Sequence, residues 1–145
     1  MSRIDVKHVL LGGVAAAILL NACDWVINNY ITADLWIHVA HARNVDTDLM
    51  NGTGALVTTI VVDVLLGFLL AWLYAALRPR LGPGPGTAVI AAFVVFGIAN
   101  LQMATFAGWF QGWDLFIRTA ALQLVSLVAA ALAAGWIYKE PGEIQ

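Results

Sequence analysis

Charge is what this sequence has least of: Asp, Glu, Lys and Arg together make up 11% of 145 residues, against 61% hydrophobic. A single soluble domain of this length cannot bury that much apolar surface, so a freely soluble globular fold is excluded. The few basic residues form no patch, which excludes nucleic acid as a partner. One cysteine, Cys23, cannot close an intramolecular disulfide, and it is read as packing. "LNAC" ahead of it looks like a lipoprotein cleavage box, but Asn21 is a poor residue there and the apolar character resumes beyond Cys23. The long apolar runs contain no histidine, which argues against haem or chlorophyll ligation between helices, and no lysine, which argues against a retinal Schiff base. No Ser/His/acid or Cys/His set shares a membrane depth, and no phosphate-cradling glycine loop follows a strand. No cofactor and no enzymatic activity are expected.

What is present is four long apolar runs, about 9–31, 55–77, 87–109 and 115–138. Each is long enough for a helix to cross a hydrocarbon layer of about 30 Å at about 1.5 Å per residue. Helices are expected rather than strands, because the runs are continuous and a helix satisfies its own backbone in lipid. The expected fold is an all-α, four-helix membrane bundle in one domain. Arg3, Lys7, Arg78, Arg80 and Lys139 collect on one side, which should be the cytoplasm of a bacterial inner membrane, with both termini there. Trp72, Tyr74, Trp136 and Tyr138 would form the inner aromatic belt, and Tyr30, Trp36, Trp109 and Trp113 the outer one. Trp25 lies too deep for it.

The first loop, 32–53, is long enough for a short interfacial helix with Leu35, Trp36 and Val39 toward lipid and Asp34, His38 and His41 toward water. Those last three are the weak candidates for a divalent metal, beside Asp46 and Asp48; a solvated face is the commoner use of such residues, and no metal is expected. The second loop, "RPRLGPGPGT", reads as a stiff Pro/Gly turn held to anionic headgroups by Arg78 and Arg80. "WLYAALRP" and "WIYKEPG" echo one another at the ends of the second and fourth runs, as many membrane helices do by chance. The "ALRPRLGPGPGTA" loop, the "LLGG" opening and the "N..DW..NNYI" run resemble a set of small bacterial four-span membrane proteins with an RPRxGPGPxTA-type loop. That resemblance covers most of the chain and implies the four-span fold, but no activity, ligand or catalytic residue.

The polar residues inside the runs carry the functional expectation. In the first run Gly13, Ala17, Asn21, Asp24 and Asn28 fall on one helical stripe. The second gives Thr59, Asp63, Gly67 and Ala71, the third Gly97, Asn100 and Ala104, and the fourth Thr119, Gln123, Ser126, Ala130 and Ala134. Asp24, Asp63, Asn100 and Gln123 lie at a similar distance from the basic side, roughly 20 Å at helical rise. They are expected to face one another as a buried polar layer in the outer half of the membrane, since a lipid-facing carboxylate there costs about 3 kcal/mol. Arg118 is the countercharge within reach; its natural lean is outward to the headgroups, and only the opposite lean would pair it with an aspartate. Polar side chains of this kind commonly just bridge helices. The first expectation is therefore an accessory or scaffold module, alone in the bilayer, as a homo-oligomer or in a larger membrane complex. The alternative is a proton- or cation-coupled small-substrate carrier using Asp24 and Asp63, because two acids at one depth often mark an ion path.

Overall fold

The structure is a computed structural model that describes residues 4–46, 52–106 and 112–138. Arg3, Asp48, Trp109 and Lys139, all used in the sequence reading, lie outside the described residues. Among those described there are five α-helices and no strand: α1 (Val6–Val26), α2 (Ala33–Ala42), α3 (Thr53–Leu81), α4 (Pro85–Phe106) and α5 (Trp113–Ile137). A single π turn, Ile27–Ile31, continues α1. Four of these are long and apolar enough to cross a membrane, and the short α2 occupies the expected first loop. The fold is the all-α bundle that the hydropathy implies.

Each helix end has a local cause. Asp5 starts α1, its carboxylate accepting hydrogen bonds from the amides of Lys7 at 2.9 Å and His8 at 3.3 Å. The His8 ring also bonds Asp5 Oδ2 at 2.8 Å, and this holds the Asp5 carboxyl below its ordinary value. A carboxyl depressed in the folded state adds stability that is complete above its unfolded value and is lost as pH falls through the lower native one. Thermal melts in detergent should therefore show a midpoint that drops as pH falls below the ordinary aspartate range. In Asp5→Ser, which keeps a neutral cap, that acid drop should shrink; an unchanged drop would rule out this origin.

The turn between α3 and α4 differs from the expected loop. The helix continues through Pro79 to Leu81, and only Gly82–Gly84 reverses the chain before Pro85 opens α4. A proline one turn from a helix end forfeits one backbone bond that neighbouring groups can replace, and proline suits the first position of the next helix. Gly82 and Gly84 have φ of 84° and 131°, left-handed values that glycine adopts without strain. Thr87 Oγ1 donates to the Gly82 carbonyl at 2.7 Å, and the Gly84 amide donates to the Tyr74 hydroxyl at 3.2 Å. "RPRLGPGPGT" is thus half helix and half turn.

Around the bundle, α1 packs on α3 and α5, while α4 packs on α5 and α3. Contacts between α3 and α5 close the short diagonal. The core is built from small residues: Ala16, Ala92, Ala130, Ala131 and Ala134 are fully buried beside Leu70, Leu127 and Val95. Helices in lipid gain no hydrophobic drive to associate, so close backbone approach has to supply the attraction. Gly67 meets the backbone of Ala17, and Gly12 that of Ala134. At the basic end Tyr74 and Tyr138 pack edge to face at 5.9 Å, with the Arg78 guanidinium 5.5 Å from the Tyr138 ring. Expected in the aromatic belt, these tyrosines are instead only 3% and 5% exposed. They seal that end.

The opposite end differs among the described residues. Leu56, Val57, Ile60, Val61 and Val62, in the first half of α3, are all exposed, whereas Asp63, Gly67, Leu70, Ala71 and Tyr74 further along the same helix are buried. Among the described residues α3 is tightly packed toward the basic end and exposed toward the α2 end.

Candidate functional site

Toward the α2 end a hollow of about 160 Å³ lies between α1, α2, α4 and α5. Asp24 reaches it from α1, Asn28 from the π turn that continues it, Trp36 from α2, Asn100 and Met103 from α4, and Gln123, Thr119 and Phe116 from α5. The residues that line it come from four separate segments, and the chain's reversal after the π turn is what adds α2. Thr32 makes that reversal, its amide and hydroxyl both bonding the Ile27 carbonyl, at 2.8 and 3.0 Å. Such single π turns are frequent at functional positions. Here the turn ends the first span and folds α2 back so that Trp36 Nε1 donates to Asn28 Oδ1 at 3.2 Å.

Across the hollow, Asn100 Nδ2 donates to Gln123 Oε1 at 2.8 Å and joins α4 to α5. An interhelical bond of this kind contributes about 0.6 kcal/mol. Gln123→Leu should therefore lower stability in detergent by about that much, a small shift in the melting midpoint. A loss of several kcal/mol would mean that the pair holds the bundle together.

The two acids are placed differently. Asp24 is half-buried and lines the hollow. Asp63 is 3% exposed on the seam between α1 and α3, and among the described residues its Oδ2 has no hydrogen-bond partner. One turn along α3 from Asp63, Gly67 meets the backbone of Ala17, so the buried acid sits one turn from a close approach of α1 and α3.

Asn21 is drawn away from this group. Its amide donates to the Ala17 carbonyl at 3.0 Å, and its side chain lines a separate, apolar hollow with Val14, Ile18, Val64 and Phe68. Arg118 also stands apart: exposed near the start of α5, it donates to Asp114 at 3.1 Å and does not line the hollow. Asp114 is one turn back on the same helix, so Arg118 finds its countercharge there and not at Asp24 or Asp63. Gly97 is exposed and meets no neighbour, because α4 buries Ala88, Ala92 and Val95 instead; only Asn100 of its expected stripe reaches the hollow.

Asp34, His38 and His41 lie on the exposed face of α2, and among the described residues no three His, Cys, Asp or Glu side chains gather as a metal site. Leu35, Trp36 and Val39 form the half-buried face, as the amphipathic pattern predicts. Trp36 does more than cover lipid, and sequence reasoning missed its role, together with those of Met103 and Phe116. The available signal was the "NNYITAD" break, which returns the chain over Asn28.

Four long apolar helices around a small-residue core define a multi-pass α-helical membrane protein. No protein-family model matches the chain, and neither a curated protein nor a solved structure matches it.

Proposed function

We propose that this chain is a proton- or cation-coupled carrier of a small substrate. It spans the inner membrane of a bacterium with both termini in the cytoplasm, as the grouping of Lys7, Arg78 and Arg80 at one end supports. The hollow then faces the outside. The observation that carries the reading is the unequal pair of acids: Asp24 lines the open hollow, while Asp63 is buried behind it with an unpartnered oxygen. A purely structural layer would satisfy such a group, since leaving it unbonded is costly. A carrier keeps a site of this kind for the proton or cation it exchanges.

The test is proton movement in vesicles loaded with a pH-sensitive dye and given gradients of Na⁺, K⁺ or tetramethylammonium. The parent should couple proton movement to at least one of these, and the Asp24→Asn/Asp63→Asn double variant to none. Equal flux in the double variant, or none in the parent with any cation, would remove the carrier reading.

A second reading, an accessory or scaffold module, is supported by the exposed apolar half of α3, which another membrane helix could cover. It requires a stable complex with that partner and no coupled flux.

A further inference from the structure

We infer that the outer hollow binds a small organic ammonium ion, of the size of choline or tetramethylammonium, rather than a bare metal cation. This deepens the carrier reading by naming its substrate class. The first support is size. A cavity of about 150 Å³ accommodates one benzene molecule, and the hollow, at about 160 Å³, holds a compact organic group of that order.

The second is the state of its polar atoms. Asn28 Oδ1 accepts from Trp36 Nε1, Gln123 Oε1 accepts from Asn100 Nδ2, and the Thr119 hydroxyl donates to the Leu115 and Phe116 carbonyls at 2.9 and 3.1 Å. Hard cations need about six oxygen ligands to replace their water, and two of the side-chain oxygens here, Asn28 Oδ1 and Gln123 Oε1, already accept hydrogen bonds within the protein. Among the lining residues the formal charge is that of one carboxylate, Asp24, beside the Trp36 and Phe116 rings and the Met103 side chain. A weakly hydrated ammonium needs just that: one countercharge and aromatic faces in place of a water shell. Among the described residues no basic side chain lines the hollow to oppose it.

The third is position. Trp36 is fixed by its hydrogen bond to Asn28 at the α2 side of the hollow, so its ring is available without reorganisation. Protonation of Asp24 would remove the countercharge, which makes ammonium binding and proton binding mutually exclusive at that residue.

The experiment is equilibrium binding of radiolabelled choline to the purified full chain in detergent, with the neutral isostere 3,3-dimethylbutanol as competitor. Saturable binding is expected, competed by tetramethylammonium but not by the neutral isostere or by equimolar Na⁺. Asp24→Asn should weaken it tenfold or more and Trp36→Leu several-fold, while Trp36→Phe, which restores an aromatic face, should return most of the loss. Absence of saturable binding, equal competition by the alcohol, or equal affinity in Trp36→Leu would overturn the inference. Binding without coupled flux would keep the site and remove the carrier. Coupled Na⁺ or K⁺ flux without choline binding would do the reverse.

Discussion

Replacing Gly67 with valine should separate α1 from α3 and leave the protein unable to keep its bundle in mild detergent. A Cβ at this position would lie 2.5 Å from the Ala17 amide nitrogen and 2.8 Å from its Cα. Both are backbone atoms, so the only relief is movement of a whole helix. Overpacking of this kind costs about 1–3 kcal/mol where side chains can adjust, and more where they cannot. Gly13 is the control. There an added Cβ would meet the ring of Phe68, a side chain bordering the apolar hollow into which it can turn. Gly13→Ala should therefore cost much less than Gly67→Ala, and Gly97→Ala, which meets nothing, should cost nothing measurable. Size-exclusion profiles and thermal melts of the three alanine variants, beside Gly67→Val, give the ranking. Equal behaviour of Gly67 and Gly97 variants would refute the crossing.

The second large effect is a trade of stability against function at Asp63. Leucine branches as aspartate does but needs no hydrogen bonds, so Asp63→Leu should remove the cost of a buried, unpartnered carboxyl oxygen. That cost is about 1–3 kcal/mol, and the variant should melt later than the parent in detergent by a corresponding amount. The same variant should lose all proton-coupled flux, because nothing remains there to hold a proton or cation. A variant both less stable and fully active would show that the carboxylate serves packing alone.

The spans, the helical class and the amphipathic α2 are legible in the sequence because each rests on hydropathy repeated over ten or more residues, which tertiary contacts seldom reverse. The polar layer is legible in part for the same reason. Depth places Asp24, Asn100 and Gln123, and depth is fixed by counting along a helix. What counting cannot supply is rotation and crossing. Asn21 and Asp24 share a stripe in an ideal helix, yet α3 crosses α1 at Ala17 and divides them between two hollows. Pro79 marks a boundary in sequence terms, but Thr87 and Tyr74 bond the turn that follows, and the helix runs past it. Tyr74 and Tyr138 have belt-like positions along their helices; Gly135, whose missing side chain makes room for the Tyr74 ring, lets Tyr74 sink inward, and Tyr138 packs on it edge to face.

Site-directed thiol labelling tests the central claim, an outward polar hollow closed at the basic end, most directly. In a Cys23→Ala background, Asn100→Cys should react with a membrane-impermeant maleimide added from the α2 side of intact cells. Leu70→Cys, behind the tyrosine seal, should stay unlabelled from either side. Labelling of Asn100→Cys only after access to the basic end, or its protection from both sides, would contradict the account.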